Sequence, residues 1–173
     1  NYGIMLWGNL NHEYSEAAMG YNSNFNWGVY KNRDWNEPNL VTYMESHDEE
    51  RIMYDLYEDG RATSYYNTTE KSTALRRVEL AATFFFTIPG PKMIWQFGEL
   101  GYDFHINYPG EIGGSENRTH EKPIRWDYQD DYRRKLLYNV YKEVIALKKE
   151  QPAFKTADFD LDVAGTMKKI HLS

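Results

Sequence analysis

Cysteine is absent from the 173 residues, so no disulfide contributes to stability and the redox compartment is left open. No apolar run reaches the length of about eighteen residues that a membrane-spanning helix needs. Positive charge is scarce too: 20 Lys and Arg face 26 Asp and Glu, for a net charge of −6. With no basic stripe to offset it, that balance argues against a nucleic-acid partner gripped through its phosphates. The glycines between 110 and 115 lack the Lys-Ser/Thr that a phosphate-cradling loop requires.

Aromatic rings are plentiful, with fifteen Tyr and five Trp. Rings with polar tips are natural platforms for sugar faces, and equally natural fillers of a core. Trp27, Tyr30 and Trp35 could line a cleft, although fastening a long loop is the commoner use of such residues.

Periodicity organises the rest. The apolar run 3–7, ending at Gly8-Asn9, predicts a strand buried on both faces. A second short strand is expected over 40–44, after the breakers Glu37-Pro38-Asn39, and a third over Met93-Ile94-Trp95. Between them, 13–19 and 49–57 have helical character. Ala74, Leu75, Val78, Ala81, Ala82 and Phe85 form one amphipathic stripe. Thr68 or Thr69 is expected to cap that helix, and Pro89-Gly90-Pro91 to end it. From 98 to 129 no period survives, which points to a long functional or mobile loop. Asp130 or Asp131 should cap a last helix with Leu136, Leu137, Val140, Tyr141, Val144 and Leu147 on its apolar face, closed by Pro152. Beyond Phe154, Phe159, Leu161 and Val163 alternate with aspartates and, after a turn at 164–166, Ile170 and Leu172 alternate again: a β-hairpin.

The stretch least like an ordinary loop follows the second strand. Ser46-His47-Asp48-Glu49-Glu50-Arg51 ends an apolar strand in five consecutive ionisable residues. In parallel α/β proteins, sites lie beyond the carboxyl ends of the strands, which would put His47 and Asp48 on a rim. Three readings are open on the residues alone. The turn could be a solvated helix start, with Ser46 or Asp48 as cap. It could hold a metal, though no second His or Cys stands at ligand spacing. Or His47 and Asp48 could be a catalytic pair that tune one another's protonation.

Tyr43-Met44-Glu45-Ser46-His47-Asp48 resembles the fourth signature stretch of the α-amylase family, glycoside hydrolase family 13. Residues 87–101, with Pro89-Gly90-Pro91 and Gly98-Glu99, are similar to that family's segment at the eighth barrel strand. Lys122-Pro123-Ile124-Arg125-Trp126 resembles the Arg-x-Pro-Met-x-Trp that follows, and 136–154 its eighth helix. The matches are collinear over most of the chain. Three departures stand out: Lys122 where Arg is frequent, Ser46 where Asn is common, and Glu99 followed by Leu100 in place of an acidic doublet.

The resemblance implies an α/β fold consisting of the last three units of a (β/α)8 TIM barrel over residues 1–153. Residues 154–173 would begin a C-terminal antiparallel β domain. Because a whole barrel takes about 250 residues, the expectation is a fragment of a retaining α-glucan hydrolase, lacking the nucleophile and acid/base and inactive alone. Asp48 would be the family's third carboxylate, which binds the 2- and 3-hydroxyls of the reacting sugar. His47 would donate to the same sugar, and Arg51 would reach the site or pair with Asp48 or Glu49. No cofactor or metal falls on this stretch, while a structural calcium elsewhere in the parent is compatible with the family. An α-glucan polysaccharide or oligosaccharide is the implied partner. A glucan branching enzyme or a non-catalytic carbohydrate- or partner-binding protein on the same scaffold are the alternatives. The open strand edges would favour self-association.

Overall fold

The computed structural model describes residues 3–173. Its centre is a three-stranded parallel sheet of β1 (Leu6–Asn9), β3 (Leu40–Tyr43) and β4 (Lys92–Met93), in the order β1-β3-β4. Leu6 lies beside Leu40 and Asn9 beside Tyr43, while Thr42 and Tyr43 pair with Lys92 and Met93. All three strands therefore end on the same side. Helices fill the connections: α1 (Asn11–Met19), α2 (Ile52–Asp59), α3 (Lys71–Thr87) and α4 (Tyr132–Glu150). Strands alternating with helices in this manner make an α/β fold.

The helices begin and end for identifiable reasons. Gly20 adopts φ 100° and closes α1, donating its N–H to the Glu16 and Ala17 carbonyls, a left-handed cap that suits a residue without Cβ. Asp131 caps α4 by accepting from the Arg133 and Arg134 amides, one of the two aspartates expected there. The threonine cap of α3 is not formed. Thr68 is buried and its hydroxyl donates instead to the Arg61 carbonyl at 3.0 Å, while the Asn67 side chain accepts the Thr69 amide in the turn before the helix.

The expected stripe of α3, from Ala74 to Phe85, is buried throughout. It meets Tyr14 and Ala18 of α1, Met53 and Leu56 of α2, and Leu137 and Tyr141 of α4 in one core. Tyr14 stacks on Phe25 at 4.1 Å and meets Phe85 edge-on. Each such ring adds a large apolar area to the burial that drives folding.

Two strands differ from the sequence expectation. The first starts at Leu6 rather than residue 3 and is not buried on both faces: Leu6 and Trp7 are 52% and 56% exposed. Among the described residues it is an edge strand, paired only with β3. The third begins at Lys92 and stops at Met93, because β3 itself ends opposite it. Ile94 is left exposed and Trp95 lies beyond the strand.

At the opposite end of the sheet, Val29, Tyr30, Leu40, Ile88 and Phe159 form a second cluster, with Trp35 packed on it. Tyr30 and Trp35 thus fasten the loop beneath the strands, and Trp27 is exposed with Arg33 stacked over it at 3.9 Å. The hairpin is antiparallel, β5 (Phe159–Asp162) against β7 (Lys169–Leu172). The turn expected between them carries β6 (Ala164–Gly165), which pairs with β2 (Ser23–Asn24).

Candidate functional site

Beyond the carboxyl end of β3 the chain leaves the sheet at Met44 and turns through Ser46–Arg51 into α2. This turn is built from its own polar residues. Ser46 donates to Glu49 and accepts the Asp48 amide at 3.2 Å. Asn9, at the end of β1, donates to Glu49 at 2.6 Å. Buried Asn11 donates to the carbonyls of Met44 at 3.0 Å and Glu50 at 2.9 Å, pinning both ends of the turn to α1.

Held so, His47 and Asp48 project outward. Their side chains are 55% and 71% exposed, with Nε2 3.4 Å from Oδ2. His47 stands between two indoles: Trp95, after β4, at 5.6 Å and Trp7, on β1, at 6.4 Å. Trp7 also meets Tyr43 edge-on at 5.6 Å. The result is an open surface in which an imidazole between two indole rings carries a carboxylate beside it, suited to a ligand with both hydroxyls and apolar faces. Among the described residues, no group of three or more His, Asp or Glu is arranged to hold a metal ion.

Arg51 is elsewhere. It is buried at 5% exposure, and its guanidinium donates to Glu45 at 3.2 Å and to the Gln96 carbonyl, over the ring of Tyr102 at 4.8 Å. It pairs with neither Asp48 nor Glu49 and presents nothing to a ligand. The reason is Glu45: a carboxylate buried in the last residues of an otherwise apolar segment needs a cation and hydrogen bonds. Glu45 takes both, from Arg51 and from the Ile52 amide at 2.9 Å. Gly98 lets this happen, since a Cβ there would lie 2.5 Å from the Glu45 carboxylate.

Three acids beneath and beside the turn are shifted. Burial pushes the Glu50 carboxyl up, partly offset by the Ile106 amide that it accepts at 2.7 Å. Burial raises Glu99 as well, with Glu45 adding to the effect. Asp55 on α2 is pushed up to about 6, chiefly by burial, against the Ser15 hydroxyl that donates to it.

The sequence brought out His47 and Asp48 but neither indole. Trp7 was legible in principle, because the two-residue period of β1 sets it on the same face as Asn9. Trp95 carries no such signal. A hollow of about 380 Å³ lies away from the site, between α1, α3 and the β6 turn.

No protein-family model and no curated protein matches the sequence. Solved structures do. Over 99% of its length the chain matches 27% of the type III pullulan hydrolase from Thermococcus kodakarensis, at TM-score 0.63 and 20% identity. Over 93% it matches 34% of the alpha-amylase from H. orenii, at TM-score 0.53 and 18% identity. The fold is shared with amylases. At these identities the likeness speaks for the fold, and it agrees with the resemblance in the signature stretches. The chain spans between a quarter and about a third of either neighbour.

Proposed function

We propose that this chain supplies the last three strand–helix units of a (β/α)8 barrel in a retaining, α-glucan-active glycoside hydrolase of the α-amylase type. Residues 1–153 would belong to the barrel and 154–173 to the start of a β domain. The observation that carries the reading is the outward projection of His47 and Asp48 from the carboxyl end of β3, with His47 between Trp7 and Trp95. Two neighbours in fold described as a pullulan hydrolase and an alpha-amylase support an α-glucan as substrate, with α-1,4 linkages the favoured target.

Retaining glycosidases use an acid to protonate the leaving oxygen and a carboxylate nucleophile about 5 Å away. In this proposal both lie in polypeptide outside the 173 residues, and the chain alone hydrolyses no glucan. Asp48 accepts hydrogen bonds from the 2- and 3-hydroxyls of the reacting sugar. Those bonds strengthen as the ring flattens toward the oxocarbenium ion, so they act on turnover more than on affinity. The charge of Asp48 also disfavours ionisation of a neighbouring acid, keeping it protonated for its task. His47 donates to the same sugar, with Trp95 and Trp7 as apolar walls. Arg51, bound to Glu45, keeps the turn in place.

The test is Asp48→Asn in the whole protein. A fall in kcat of about a hundredfold or more, with KM little changed, is the expected result; an effect confined to KM would remove Asp48 from the transition state.

A further inference from the structure

The loop between β4 and α4 is gathered around one ammonium group. Lys122 Nζ donates to the main-chain oxygens of Asn117 at 2.8 Å, Tyr108 at 3.0 Å, His120 at 3.1 Å and Arg118 at 3.4 Å. An ammonium has three protons, so four carbonyls around it resemble the coordination of an ion more than an ordinary side-chain contact. The loop is tightened further by Asn107, buried at 1% exposure, whose side chain accepts the Asn117 amide at 2.8 Å and donates to the Glu111 carbonyl at 2.5 Å.

This ring is docked onto the site turn at two points. Arg118 donates to the main-chain oxygen of Asp48. The Ile106 amide donates to Glu50, two residues further along the turn, at 2.7 Å. Arg118 is both a member of the ring, through its carbonyl on Lys122, and the contact to Asp48.

We infer that Lys122 serves as the internal cation of this loop and, through Arg118, as a positioning residue for Asp48. Without the ammonium, four carbonyl dipoles converge on a space with no donor, which is unfavourable in a half-buried setting. The ring then opens, and Arg118 loses its register with the Asp48 carbonyl. The significance of holding Asp48 rests on the functional proposal above; the mechanical coupling between Lys122 and the turn is independent of it.

Hydrogen exchange followed by mass spectrometry on the chain and two variants tests the coupling. In Lys122→Ala, exchange should rise by about tenfold or more over residues 105–120 and over the turn 44–50. Added propylammonium, which replaces the missing stem and its three N–H groups, should restore protection in both segments. Tetramethylammonium, of equal charge without N–H, should not. Arg118→Ala should expose 44–50 while leaving the ring protected, which separates coupling from general unfolding. Unchanged exchange over 44–50 in both variants, or equal rescue by tetramethylammonium, would overturn the inference. In the whole enzyme Lys122→Ala should lower kcat by about tenfold with KM within about twofold. An unmodified whole enzyme with no action on α-glucans would defeat the functional proposal and leave the exchange result standing.

Discussion

Glu45 and Arg51 face one another at 3.2 Å directly below the exposed pair His47 and Asp48. The six-residue separation closes the turn on itself: the buried pair fixes both of its ends, and His47 and Asp48 between them face outward. Arg51→Met should therefore cost about 3–5 kcal/mol, because it strands the Glu45 carboxylate without its cation. Urea unfolding followed by circular dichroism measures it. A loss below about 1 kcal/mol would mean that the pair holds nothing.

Gly98 is the third member of that arrangement. Its missing Cβ leaves the space occupied by a Glu45 oxygen, 2.5 Å from where the atom would be. The carboxylate is already tied by Arg51 and the Ile52 amide and has nowhere to move. Gly98→Ala should destabilise the chain by about 1–3 kcal/mol, measured as a lowered urea midpoint at unchanged slope.

Asp55 gives a pH dependence with a definite sign. Its carboxyl is pushed up to about 6 from an ordinary value of 3.8, chiefly by burial. The folded chain therefore holds this proton over a range in which the unfolded chain has released it. Stability from this group is complete below about pH 4, declines as pH rises toward 6, and stays level above. With allowance for solvent screening at a side chain that is not fully enclosed, the step is about 2 kcal/mol. Asp55→Asn retains a partner for the Ser15 hydroxyl and should abolish the step, making the variant the more stable protein at pH 7. Paired urea titrations at pH 4 and pH 7 check it. A difference between the two proteins that does not change with pH would contradict it.

Trp95 stands 5.6 Å from His47 and should contribute to sugar binding without touching the chemistry. In the whole enzyme Trp95→Ala should raise KM for a maltooligosaccharide by about tenfold while leaving kcat within a factor of about three. Steady-state kinetics with a short and a long substrate would reveal it.

Much of this architecture was legible in the sequence, and particular residues explain where legibility stopped. The stripe Ala74–Phe85 and the cap Asp131 are local patterns, set by contacts within a few turns of helix, and both are present in the fold. His47 and Asp48 were visible because so many charges follow a strand. Arg51 misled because its partner, Glu45, looked like the tail of that strand, and only the folded chain brings Gln96 and Tyr102 around its guanidinium. The exposure of Leu6 and Trp7 was hidden for a similar reason: an apolar run records what a residue prefers, not which neighbour is present to cover it. Lys122 reads in the sequence as a substitution for arginine, and nothing local announces four carbonyls waiting for it.

The pairing of β6 with β2 has a practical consequence for anyone dividing this chain. Change of pattern near residue 154 invites a cut there, yet Val163 is 1% exposed within the helical core and Phe159 plugs the base of the sheet beside Leu40. Truncation at that point would strip the lining from two clusters at once. The tail behaves as a wedge driven between the first loop and the helices, and a shortened product should be recovered from inclusion bodies rather than from solution.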